Sequence, residues 1–415
     1  MKSSIKFYII SLLLLTSLPS FGQQMTLDSI LAVIRTNNPM LEEYDKRAQA
    51  MEAYADGATA WMAPMAGVGT YMTPYPGQEV MGEGDKGMLM FSVEQQIPNP
   101  AKQRAKKELY ESRAAIEQAA QEVAYNQIRA EAKSLYYQWL VLEKKKAVLQ
   151  ENASIMEMMK KLAEIRYPYS QGSLGNIYKA EGRLYEVQNM ILMTESDIEQ
   201  KNIMLNTLMD IPTDVRYGID TAAMDFDPIL AAVDTSQLAE QRSDILRLEN
   251  SISTMRLNSR LMSFEAKPDF SIRFDHMQPY GSMMPSSFTA MAMISIPIAP
   301  WSSKMYKSQV RGMNYEIEAM QKERESILNE AQGMISSMAA EIRKMQQQLQ
   351  NYGTKIIPAL QKNYQTVMLA YEENNEQLPI VIDAWEALNM VQMEYLDKME
   401  NYYTMIVDYE KELEK

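Results

Sequence analysis

The sequence predicts an α+β membrane protein built as a tandem internal repeat, each half placing a strand hairpin ahead of a very long helix. Three features lead there: two long stretches without proline, two segments in which apolar and polar residues alternate, and landmarks that recur at a near-constant offset.

At the N-terminus, Lys2 and Lys6 precede an apolar run from Ile9 to Leu18. Ser20-Phe21-Gly22 then has the small-x-small form of a signal-peptidase site. Residues 1–22 therefore read as a signal peptide. Its removal takes the formal charge from −13 to −15, because Lys2 and Lys6 leave with it. No later stretch has eighteen unbroken apolar residues, which excludes transmembrane helices. Transmembrane strands are not excluded, since an alternating pattern leaves no hydropathy peak.

The first repeat covers residues 23–215. Its hairpin spans about 65–98, where Phe91, Val93 and Ile97 alternate with Ser92, Glu94 and Gln96. A turn-rich loop, Thr73-Pro-Tyr-Pro-Gly77 to Gly87, separates its strands. From Ala101 to Tyr167 there is neither Pro nor Gly, so a helix is expected over about 101–167, roughly 100 Å long at about 1.5 Å per residue. Leu109, Ile116, Val123, Ala130 and Tyr137 are seven apart, the spacing of a coiled-coil seam. A return helix follows at about 174–210.

The second repeat covers 216–415. Its hairpin spans about 268–298, with Phe270, Ile272 and Phe274 alternating with Ser271, Arg273 and Asp275 around the loop Gln278-Pro-Tyr-Gly281 to Ser287. A long helix is expected over about 301–357, between Pro300 and Pro358, and a return helix over about 379–414. The duplication can be counted. Pro74-Tyr75 recurs as Pro279-Tyr280, Ile97-Pro98 as Ile296-Pro297, and Tyr167 and Ala180 as Tyr371 and Ala384, at offsets of 205, 199 and 204 residues.

Thr26-Leu-Asp28 followed by Asn37-Asn-Pro39-Met-Leu41 resembles the opening signature of TolC-type outer-membrane efflux proteins. Phe91-Ser-Val-Glu-Gln-Gln-Ile-Pro98 and Met291-Ala-Met-Ile-Ser-Ile-Pro297 are similar to that family's strands entering its long helices. The stretches from Tyr167 to Ala180 and Tyr371 to Ala384 resemble its helical tips, and Leu205-Asn-Thr-Leu-Met-Asp-Ile-Pro212 the close of its first repeat. The ordered, duplicated set carries the resemblance. One departure stands at the tips, where Ser170 and Asn374 replace a glycine the family favours three residues after the tyrosine. The resemblance implies a homotrimer whose twelve-stranded β-barrel, four strands per chain, continues into a coiled-coil α-barrel. Physics agrees that several chains are needed: four strands cannot close a barrel, and an open edge in lipid costs several kcal/mol for each unpaired backbone group.

The chemistry available is narrow. There is no cysteine, so disulfides, thiolate metal sites and cysteine nucleophiles are excluded, and one histidine, His276, leaves most zinc and acid–base arrangements short of parts. No phosphate loop, nucleophile elbow or acid pair stands out, so neither an enzyme nor a resident cofactor is expected. An isoelectric point near 4.9 argues against nucleic acid as a partner. What stands out is methionine, 36 in all. The thioether is a soft, neutral ligand suited to Cu(I) and Ag(I). Met156, Met158, Met159, Met204 and Met209 on the helices read as flexible core filler. If Phe91, Val93, Phe270, Ile272 and Phe274 face lipid, then Met88, Met90, Met277, Met291 and Met293 face the lumen as transient soft-metal contacts, while His276 points away.

The methionine content narrows the resemblance to copper and silver efflux ducts. It implies an exit channel in the outer membrane of a Gram-negative-type bacterium, extending into the periplasm. The implied partners are a periplasmic adaptor, an RND-type inner-membrane pump and outer-membrane lipid. Asp383 matches the family's acid at the periplasmic gate, where three copies would form a ring favouring cations; its counterpart in the first repeat is Lys179. Two alternatives remain at this point: the same channel carrying organic toxins or a secreted polypeptide, and a structural coiled-coil surface protein.

Overall fold

The computed structural model describes residues 24–169, 172–221, 230, 234–281, 284–297 and 299–415; the expected signal peptide lies outside them. The chain divides into two compact units, one made of Met1–Leu41, Ala124–Asp234 and Ala331–Lys415, the other of Glu42–Val123 and Thr235–Glu330.

The chain opens with α1 (Leu27–Asn37) and α2 (Pro39–Gly57). Thr26 caps α1, its hydroxyl accepting from the Ser29 amide, and the Asn38 side-chain oxygen accepts from the Met40 amide at the start of α2. The first hairpin is β1 (Met65–Tyr71) and β2 (Met88–Ile97). It leads into α3, unbroken over Pro100–Arg166, where proline sits at the one place a helix tolerates it and the Asn99 side chain accepts from the Ala101 amide. The return helix α4 is Leu174–Leu208.

After α5 (Thr235–Gln241) and α6 (Ser243–Ser263) come β3 (Asp269–Pro279) and β4 (Ser287–Ser295). Helix α7 (Pro300–Asn351) follows. The expected helix end at 357 is corrected here. A π-turn, Tyr352–Ile356, joins α7 to α8 (Ile357–Glu372), and Pro358 falls in the first turn of α8, where its missing N–H is of little consequence. The last helix is α9 (Leu378–Glu412).

Two helix ends close on left-handed residues. Asp210 (φ 54°) and Asn374 (φ 65°) follow α4 and α8, and the amides after them reach back five residues, Ile211 to the Asn206 carbonyl and Asn375 to that of Ala370. This is the Schellman geometry, with the two non-glycine residue types that best tolerate it.

In the sheet-bearing unit the four strands form one antiparallel sheet in the order β1-β2-β3-β4. Beside it Ala105 and Leu109 of α3 pack on Leu261 of α6, the Lys102–Glu265 ion pair lies at 2.7 Å close by, and Arg324 of α7 pairs with Glu249 farther along α6 at 2.9 Å. Of the proposed α3 seam, Leu109, Ala130 and Tyr137 are buried, whereas Ile116 and Val123 are half-buried and Ala114, Ala119 and Ala124 lie deeper. Small residues allow the closer approach.

In the helical unit, Trp385 donates to the Asn152 side-chain oxygen at 2.7 Å, Tyr137 stacks on Tyr403 with centroids 5.1 Å apart, and Lys133 pairs with Glu410 at 2.7 Å. A short parallel pair, Gln24–Met25 with Gly218–Ile219, also belongs to it. Among the described residues, no helix is long and apolar enough to cross a membrane.

Candidate functional site

The sheet offers two chemically distinct faces. Pairing runs without a bulge from Met88–Pro279 to Ile97–Phe270, so side-chain alternation holds along both strands. One face carries Phe91, Val93, Phe270, Ile272 and Phe274, each between 46% and 52% exposed. Such exposure of large apolar side chains marks a surface meant to be covered by something apolar.

The other face carries Ser92, Glu94, Arg273 and Asp275, and with them all five singled-out methionines, Met88, Met90, Met277, Met291 and Met293. Met90 stands directly opposite Met277, and Met88 is the next residue of β2 on that face. Sequence reasoning omitted Met65 from this set. The register puts it in one row with Glu94, Arg273 and Met291. Its parity depends on how β1 pairs with β2, which the sequence of β1 alone does not specify.

Charge separates the faces as well. Glu94, Asp269, Arg273 and Asp275 all lie on the methionine face, and Arg273 donates to the buried Asp275 carboxylate at 2.9 Å. His276 falls on the apolar face, between Phe91 and Phe288, as parity predicts. Among the described residues no group of three His, Cys, Asp or Glu side chains is placed to hold a metal ion. Thioethers are thus the soft donors on the sheet, and weak ones. Met156 and Met159 on α3 and Met209 just past α4 are buried and serve as filler, while Met158 and Met204, expected in the same role, are exposed and do not fill the core.

A second cluster sits where α3 and α8 end and α4 and α9 begin. The Asp383 carboxylate accepts from Lys179 at 2.9 Å. One turn on, Arg183 of α4 pairs with Glu386 of α9. Arg166, the last residue of α3, donates to the Glu372 carbonyl at 2.9 Å and lies over the Tyr371 ring. Burial pushes the Tyr371 phenol up, and Arg166 offsets part of that. Lys160 pairs with Glu181 at 2.6 Å; their hydrogen bond holds the carboxyl below its usual value and the ammonium above its own. Asp383 is therefore not an isolated acid: Lys179, the residue that the sequence comparison set against it, is its ion-pair partner. Ser170 lies outside the described residues, so the departure from the tip pattern can be followed only at Asn374.

No family model matches the chain, and no curated protein matches it. Solved structures do. The outer-membrane channel OprN superposes with a TM-score of 0.74 at 15% identity, covering 93% of this chain and 89% of that one. CusC, a structure described in terms of folding and transmembrane channel formation, gives 0.73 at 14% identity over 95% and 93%. The outer-membrane protein VceC of Vibrio cholerae gives 0.70 at 15% identity over 93% and 95%. The chain thus shares the fold of outer-membrane channels along nearly its whole length, and its similarity is to channel proteins rather than to enzymes.

Proposed function

We propose that this chain is one subunit of a homotrimeric outer-membrane exit channel, the last component of a tripartite efflux system. One observation carries the reading. Among the described residues the sheet is open, its outer strands β1 and β4 each pair on one side only, and one of its faces is apolar while the other is charged. A sheet of that kind satisfies its edges in lipid only by joining other copies of itself. Three copies give a twelve-stranded barrel, wide enough for a lumen, with Phe91, Val93, Phe270, Ile272 and Phe274 toward lipid. Likeness to outer-membrane channels over 93–95% of the chain supports it. So does the element order, since hairpin, long helix and return helix occur twice. On this reading the chain is a tandem repeat led by a signal peptide, is not an enzyme, and meets a periplasmic adaptor and an RND-type pump.

The cargo on this reading is Cu(I) or Ag(I). Met88, Met90, Met277, Met291 and Met293 then form a ladder of uncharged soft ligands along the exit path. Weakness suits the task, because a duct must release what it passes. The Asp383 carboxylates stand at the periplasmic gate, each tethered by Lys179. A strain lacking the gene tests the cargo: it should lose copper or silver tolerance, and unchanged metal tolerance with lost detergent tolerance would assign the channel to organic toxins instead.

A further inference from the structure

We infer that the joint between two copies of this chain forms a soft-metal site of three thioethers, Met90 and Met277 of one copy with Met291 of the partner subunit, an inference that rests on the barrel reading above. Among the described residues the free edges of the sheet are β1 and β4, and six of the seven residues of β1 and eight of the nine of β4 are exposed. On the methionine face β1 offers Gly67 and Gly69, and β4 offers Met291 and Met293, 39% and 38% exposed. Among those residues nothing requires glycine at 69: its backbone is not left-handed, and a side-chain carbon there would meet nothing within 4 Å. Glycine weakens a strand interior, and where the chain's own packing gives it no role it marks the close approach of something else.

Barrel closure limits how the two edges meet. Strands tilted by about 35–45°, spaced about 4.8 Å apart and rising about 3.4 Å per residue, shift register by about 12–17 residues around a twelve-stranded ring. Three copies share that shift equally, and each share is even because each face must stay on its own side, which leaves roughly four or six residues per copy. The shift is counted from the row Met65–Glu94–Arg273–Met291. In one direction it leaves at most Met65 beside Ser287; in the other, a shift of four pairs all seven residues of β1 and a shift of six pairs five. At four, Gly67 faces Met293 and Gly69 faces Met291, while on the apolar face Ala66 faces Ile294 and Val68 faces Ala292. Each of these joins a small residue to a larger one. At six, Val68 would crowd Ile294 and Gly67 would leave a gap against Ser295. The edges fit at four.

At that stagger one row crosses the joint: Met291 of the partner subunit, then Gly69, Met90 and Met277. The backbones at Met90 and at Met291 of the partner subunit are two strand spacings apart, about 10 Å, and Gly69 puts no side chain between them. Both thioethers can therefore lean over β1, and Met277 stands directly opposite Met90 on the other side. Neither copy holds all three sulfurs alone. No carboxylate or imidazole stands in the row, so the site suits Cu(I) or Ag(I) and gives a hard divalent cation little to bind.

The chain contains no cysteine, so introduced ones report the joint without background. Gly69→Cys combined with Met291→Cys should give a covalent trimer on oxidation, seen on a non-reducing denaturing gel. Gly69→Cys combined with Met293→Cys tests a shift of six and should stay unlinked. A trimer that links through position 293, or through neither, overturns the register and the site with it; a monomer overturns the barrel reading itself. Silver ions bound to the full-length trimer in detergent are then counted by native mass spectrometry, with one ion per chain expected to be held more tightly than the rest. Met90→Leu and Met291→Leu should each weaken that binding by roughly tenfold or more, at least the loss that an outer-shell partner causes. Gly69→Val keeps all three thioethers but fills the space between them, and should weaken it as much; if that variant does not assemble, the leucine variants decide. Silver held undiminished by any assembled variant of the three overturns the site and leaves the joint standing.

Discussion

Met90 and Met277 face each other directly across β2 and β3, on the side of the sheet that also carries Glu94, Arg273 and Asp275. Directly opposed side chains have Cβ atoms about 5 Å apart, close enough for two thioethers to touch one ion. Replacing Met88, Met90, Met277, Met291 and Met293 by leucine keeps bulk and apolar character, so the cost to stability should stay below about 1.5 kcal/mol per site. Plating tests on the variant should show copper or silver tolerance falling while detergent tolerance holds. Equal tolerance to both classes, at normal expression, would return these residues to the role of filler.

The Lys179–Asp383 pair gives a prediction in which the two partners act oppositely. The Asp383 side chain is 67% exposed, so the pair contributes at most about 1 kcal/mol to stability. Its effect should appear in permeation instead. Lys179→Met leaves the acid unopposed and should raise cation selectivity, read as reversal potential in planar bilayers. Asp383→Ala should lower it. Reversal potentials that do not move for either variant would remove this pair from the permeation path.

Asn374 holds φ 65° at the end of α8, where the TolC-type pattern favours glycine. Asn374→Gly should therefore be tolerated or slightly stabilising. Asn374→Val should cost on the order of 1–2 kcal/mol, the penalty for a left-handed L-residue without a compensating side chain. Limited proteolysis at the helical tips reads this locally. Equal protection of the Gly and Val variants would argue that the tip does not depend on that turn.

Much of this architecture was legible in the residues because its signals are local. The alternation in Phe91–Ile97 and Phe270–Asp275 survives into the sheet since no bulge interrupts β2 or β3. Parity of Met88, Met90 and Met277 followed from that alternation, whereas Met291 and Met293 on β4 needed the alignment of Pro98 with Pro297. Other features needed the third dimension. Pro358 reads as a helix end, yet the π-turn before it lets the helix resume with proline in its first turn. A sevenfold apolar count picked Ile116 and Val123, whereas packing buried the alanines Ala114, Ala119 and Ala124. Lys179 and Asp383 stand at matching positions in the sequence landmarks, but their contact depends on how α4 lies against α9.

The central claim is that this sheet closes only between chains, and the molar mass of the purified protein in detergent tests it most directly. Light scattering with the detergent contribution subtracted should give three copies of a chain of at most 47.6 kDa. A folded, monodisperse species with the mass of one chain would contradict the account, because its strand edges would then have no partner in the membrane.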